Sequence, residues 1–204
     1  MPVWLAVLVL VLLLGVVGVA GYMIRGRFTD SRPRTVEDIA VEAKQKAVAA
    51  KPSDPRAHLD LGFAYQQDGR LSDAIAEYRL VLKADPKNTA ALYNEGMVYF
   101  QLNDPKKAEE LLWDVLNVSK THVLAAKALG DHYASKGQYR SLVVAVKPAA
   151  DARRDMADLQ YLMGLAYEHL GHKDWAAERY RSALKFVPDM PEARDGLKRL
   201  GVKL

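Results

Sequence analysis

The stretch LGFAYQQDGR, residues 61 to 70, returns three more times in altered form. EGMVYFQLND begins at residue 95, LGDHYASKGQ at 129 and MGLAYEHLGH at 163, each start 34 residues after the last. Gly62, Gly96, Gly130 and Gly164 form one column, and Tyr65, Tyr99, Tyr133 and Tyr167 a second. Four ungapped copies in register make a stack of supersecondary units the governing architecture. The copies span residues 55–88, 89–122, 123–156 and 157–190.

Each copy reads as helix, turn, helix. In the first, PRAHLDLGFAYQQDG is a helix stopped near Gly69. RLSDAIAEYRLVLKADP is the second, with Ser72 as its expected cap and Pro86 past its end. In the second copy Asn103-Asp104-Pro105 marks the turn, a capping residue followed by Pro at the favoured first helical position. A glycine inside a helix costs up to about 1 kcal/mol against Ala, so a column of four needs a steric reason. Close helix crossings at Gly62 with Ala74, and at Gly164 with Ala176, supply the expected one. Tyr78, Tyr180 and the tyrosine column fill the wider gaps.

This pattern resembles the tetratricopeptide repeat. Copy 1 carries His58, Leu61, Gly62, Tyr65, Ala74, Tyr78 and Pro86 at the family's marked positions. Copy 4 carries Gln160, Met163, Gly164, Tyr167, Ala176, Tyr180 and Pro188. The resemblance implies an all-α, right-handed superhelical solenoid of four helix-turn-helix repeats. Residues 36–54 read as a leading helix, a degenerate half-repeat capped by Thr35, with Ala40, Ala47 and Pro52 in phase with Ala74, Val81 and Pro86. Residues 191–204 read as a C-terminal capping helix with a charged outer face. Copy 2 departs from the pattern with Glu95 at the Leu position and Lys120 at the Pro position. Copy 3 departs with Leu142 for the small Ala and with Pro148, which is expected to kink or split its second helix.

In such arrays the first helices line a concave face that commonly holds a peptide or a partner's helix. The resemblance maps that groove to Leu59, Phe63, Tyr93, Met97, Phe100, Lys127, Asp131, Tyr161 and Leu165. It is an apolar, aromatic surface with a charged break in copy 3, suited to an apolar segment or helix. About half of these side chains are expected to pack against neighbouring repeats. Family members that clamp an acidic C-terminus use Lys, Asn, Asn, Lys and Arg at set offsets. Here those offsets hold Leu59, Phe63, Asn94, Leu124 and Ala128, and only Asn94 matches.

The rest of the 204 residues narrows the class. Net charge is +4 without a dense Lys/Arg run, which speaks against a nucleic-acid partner. The chain has no cysteine, so disulfides, thiolate metal sites and cysteine nucleophiles are excluded. His169 and His172 lack a third metal ligand, and Asp131, His132 and Ser135 on one helix do not give nucleophile geometry. No phosphate-binding glycine loop occurs. The expectation is no enzyme, no cofactor, no metal, and no small-molecule substrate.

The first 24 residues, MPVWLAVLVLVLLLGVVGVAGYMI, carry no charged side chain. Residues 3–24 as a helix would rise about 33 Å, enough to cross a hydrocarbon core. Gly18-Val19-Ala20 would suit signal-peptide cleavage, but the missing basic leader and the length favour a retained single-pass anchor. Residues 25–35 form a basic linker. Arg25, Arg27, Arg32 and Arg34 follow the span, so the positive-inside rule puts the repeats in the cytoplasm, with the extracytoplasmic side as the alternative. The whole reads as a membrane-tethered scaffold or assembly factor for a protein partner. Alternatives are a helper resembling those of cytochrome c maturation, presenting apo-protein tails outside the cytoplasm, and an accessory subunit of a membrane enzyme.

Overall fold

The computed structural model describes residues 35–202. The expected anchor at 1–24 and linker residues 25–34 lie outside the described residues. The described residues from Ala40 onward form one compact unit. Among the described residues there are ten α-helices and no strand. They are α1 (Val36–Ala50), α2 (Pro55–Gln67), α3 (Leu71–Ala84), α4 (Thr89–Gln101), α5 (Pro105–Val118), α6 (Val123–Ser135), α7 (Tyr139–Ala152), α8 (Ala157–His169), α9 (Lys173–Phe186) and α10 (Pro191–Arg199). First helices begin at residues 55, 89, 123, 157 and 191, second helices at 71, 105, 139 and 173, so every step is 34.

Local chemistry fixes these boundaries. Thr35 and Asp38 form a reciprocal capping box: Asp38 N–H donates to Thr35 Oγ1 at 3.1 Å and Thr35 N–H to Asp38 Oδ2 at 3.0 Å. Asp54, Asn88, Asp104 and His122 each accept a backbone N–H at a helix start. Ser72 does not cap α3: the helix begins one residue earlier, at Leu71, and its start has no side-chain cap. The turn within each pair needs one left-handed residue. Gly69, Asn103, Gly137 and Gly171 supply it at φ of 75°, 57°, 66° and 82°, and Asn is the non-glycine residue that tolerates that region best.

Packing is a repeated contact of second helix on first. On α3, Ala74, Ile75, Tyr78 and Val81 make one buried stripe. The close partner of Gly62 is not Ala74 but the Tyr78 ring: a Cβ there would meet Tyr78 Cε1 at 2.6 Å. Gly164 repeats this against Tyr180, 2.6 Å from Cδ1. Tyr180 is enclosed on its other side by Gly196 of α10, where a Cβ would stand 2.4 Å from Cε2. Both rings are fully buried, each stabilising by about 1.5–3 kcal/mol through area removed from water. Their hydroxyls reach acceptors, Gln66 Oε1 for Tyr78 at 3.2 Å and Glu168 Oε2 for Tyr180 at 2.5 Å.

The departures from the repeat pattern have local answers. Glu95 is buried at 3 % exposure. It accepts from Arg79 Nε at 3.0 Å, while Arg79 Nη2 donates to Tyr99 at 2.8 Å. Gln160 is also buried; it donates to Ala150 O at 2.7 Å, an orphan carbonyl at the end of α7, and accepts from Arg179 at 2.9 Å. Pro148 does not split its helix, since α7 runs unbroken from Tyr139 to Ala152. It is exposed, as is Val144 four residues back, so water reaches the carbonyl that proline leaves without a donor.

Candidate functional site

The first helices present the candidate surface. Within the unit from Ala40 onward, α2 contacts α4, α6 contacts α8 and α8 contacts α10. All nine residues expected to line a groove keep solvent exposure: Phe63 and Asp131 are exposed, the other seven half-buried. Leu59, Tyr93, Phe100 and Tyr161 pack against the core, whereas Phe63, Met97 and Leu165 do not. Phe100 lies in the seam between α4 and α6 with its ring 5.1 Å from His132, and Tyr93 lies 5.8 Å from His122. These rings fill the space between two first helices.

The charged break is a local ion-pair cluster. Lys127 Nζ donates to Asp131 Oδ2 at 2.7 Å and stands 3.8 Å from Asp158 Oδ2. The Asp131 hydrogen bond holds Lys127 above its ordinary range, with Asp158 adding to the effect. Burial pushes the Tyr93 phenol up, and Lys127 opposes that. Burial also pushes Tyr161 up, aided by the field of Glu192. Tyr93, Lys127, Asp131, Asp158, Tyr161 and Glu192 are thus one electrostatic neighbourhood. Asp158 and Glu192 were not foreseen in it. They follow the exposed Leu124 at successive 34-residue steps, so the period itself held that signal.

The residues weighed for chemistry are structurally engaged. His132 Nε2 lies 2.7 Å from Glu109, which also accepts from Tyr133 at 3.1 Å, and Trp113 Nε1 donates to the Tyr133 oxygen at 2.8 Å. Asp131 is held by Lys127, and Ser135 Oγ donates to the His132 carbonyl at 2.7 Å. His169 stacks on Tyr139 at 4.1 Å and His172 on Trp175 at 4.7 Å, so the two rings belong to different contacts. Among the described residues no cluster of three or more His, Asp or Glu forms a metal-binding group. No described helix is long and apolar enough to cross a membrane.

Two tetratricopeptide-repeat family models match the chain, one over residues 38–89 and one over 66–130. No curated protein matches it. Solved structures do. The crystal structure of MamA aligns with a TM-score of 0.62 and 22 % identity, covering 77 % of this chain and 97 % of that one. YrrB, described as a repeat protein with an unusual peptide-binding site, aligns at 0.61 and 22 %, covering 79 % and 84 %. Pseudomonas aeruginosa pilF aligns at 0.60 and 20 %, covering 71 % and 68 %. At these identities the likeness is one of fold. Taken with the family models, which run from residue 38 to residue 130, it supports the tetratricopeptide-repeat family for this chain.

Proposed function

We propose that this protein is a membrane-tethered scaffold or assembly factor that holds a segment of a protein partner on the face built by its first helices. The observation that carries the reading is the line of Phe63, Met97 and Leu165, apolar side chains left outside the core on three first helices. Apolar side chains that keep solvent exposure in register on one set of elements suit an apolar segment or helix. The peptide-binding description of YrrB is consistent with it. Residues 3–24 carry the tethering part of the proposal, through 14 Leu, Val or Ile residues in an uncharged run. Tethering raises the effective concentration of the face near membrane partners.

Cysteine labelling tests the tether cleanly, because the chain has no native cysteine. Ser72→Cys sits on an exposed position of α3. The chain should pellet with membranes, resist alkaline extraction, and react with an impermeant maleimide only after lysis. Release by alkali would remove the tether from the account. Labelling of intact cells would instead put the repeats outside the cytoplasm.

A further inference from the structure

We propose that the outer end of the stack, where α9 meets α10, is a second docking site that takes an acidic amphipathic helix of a protein partner. It is distinct from the first-helix face. A surface recess of about 380 Å³ opens there, lined by Arg181, Leu184, Lys185, Pro188, Arg194 and Leu197.

The repeat register says what this place is. Position 58 recurs at 92, 126, 160 and 194. In complete pairs its occupant is covered by the second helix of the same pair: His58 lies 2.6 Å from Glu77, and Gln160 lies 2.9 Å from Arg179, each partner 19 residues on. Leu92 and Ala126 are buried at 5 % and 0 % exposure. Arg194 is the fifth occupant, and its side chain is 43 % exposed. Among the described residues no second helix covers α10. Leu184 is half-buried, as is its copy-1 equivalent Leu82, whereas Leu116 and Ala150 are buried.

The charges name the occupant. Arg79, three copies upstream of Arg181, finds its counter-ion in Glu95 of the next first helix. The equivalent pair at the end of the stack is Arg181 with Leu197, which supplies no acid, and among the described residues Arg181 makes no ion pair. Among the described residues Lys185 makes no ion pair either, and its Nζ stands 5.7 Å from the Phe186 ring. Arg194 holds Asp189, which is 92 % exposed, in a surface pair of little energetic weight. An apolar floor rimmed by these cations complements a helix whose apolar stripe is flanked by Asp or Glu. A second copy of this chain fits poorly. Offering α1 as the missing helix would place Lys44, which is in phase with Tyr78, where it faces Lys198, which is in phase with Gly62.

The test uses the full chain in detergent and two synthetic helical peptides with the same leucine stripe, one flanked by Glu and one by Lys. Fluorescence anisotropy should show binding of the Glu peptide and not the Lys peptide. The double variant Arg181→Glu, Lys185→Glu should weaken it by about tenfold or more, and Phe63→Asp should leave it unchanged. Amide shifts should map to Leu184 and Leu197. Equal binding of both peptides, no binding of the Glu peptide, or loss on Phe63→Asp instead would overturn the proposal. So would sedimentation showing self-association that the double variant abolishes, which would make the end an interface between copies.

Discussion

Copies 2 and 4 solve one packing problem with different side chains. In copy 4 the Tyr180 ring is pressed on Gly164 so closely that a Cβ would stand 2.6 Å from it. In copy 2 the same position is Leu112, and a Cβ at Gly96 would stand 3.3 Å from its Cγ. The repeat pattern thus encodes space rather than identity: the glycine is obligatory where the ring of copy 4 fills the crossing and merely favoured where the leucine of copy 2 does. Gly164→Ala should therefore destabilise by about 2 kcal/mol, an overpacking cost exceeding the gain in helix propensity. Gly96→Ala should change stability by less than about 0.5 kcal/mol, because a small leucine shift and the propensity gain offset each other. Urea midpoints of the two variants measure the difference. Equal effects would break the comparison.

Copy 2 also carries the buried carboxylate that copy 4 replaces with Met163. Arg79→Ala leaves Glu95 without its counter-charge and should cost about 1–2 kcal/mol, less than for a fully buried pair because Arg79 is half exposed. Glu95→Leu removes the charge with its desolvation penalty and should be neutral or slightly stabilising. Chemical denaturation of both variants checks the asymmetry. A loss on Glu95→Leu as large as that on Arg79→Ala would show that the pair itself stabilises the copy.

Smaller effects separate two histidines by pH. His58 faces two acceptors, Glu77 Oε2 at 2.6 Å and Pro52 O at 2.9 Å, so only the protonated ring donates to both. The Glu77 hydrogen bond raises its pKa above 6.5. Its contribution is full below about 6.5, the unfolded value, and is lost as pH rises through the raised folded pKa. His122 is opposite: burial lowers its pKa, and its Nδ1 accepts from Ala125 N–H at 3.2 Å, which requires a neutral ring. That contribution is full above about 6.5 and is lost as pH falls toward the lowered folded pKa. The stability gap between wild type and His58→Gln should shrink from pH 6 to 8. His122→Asn, which copies the cap at Asn88, should remove the acid-side loss. Nuclear magnetic resonance titration of the two rings reads the same directions directly.

The periodicity made the helix starts legible, since one 34-residue step fixes caps, turns and columns together. Contacts between columns were less legible. Gly62 and Tyr78 are 16 residues apart on different helices, and nothing in either residue announces that the ring, rather than Ala74, takes the close approach. Pro148 does not split α7, because proline's effect depends on exposure, which the sequence does not state. On the candidate face, the nine side chains were named by family offset, and all nine keep some solvent exposure. That Phe100 fills the α4–α6 seam, and that Asp158 and Glu192 join the charged neighbourhood, depends on spacing between helices.

The central claim is that the first helices, and not the second, meet the partner. A photo-crosslinking residue placed in the full chain at Phe63, at Met97 and at Val144 tests it in cells. Val144 is 64 % exposed on a second helix and serves as the control. The account predicts one discrete adduct shared by positions 63 and 97, absent from 144, with a captured protein whose binding to the purified chain drops about tenfold on Phe63→Asp. An adduct from 144 alone, or the same adduct from all three positions, would contradict it.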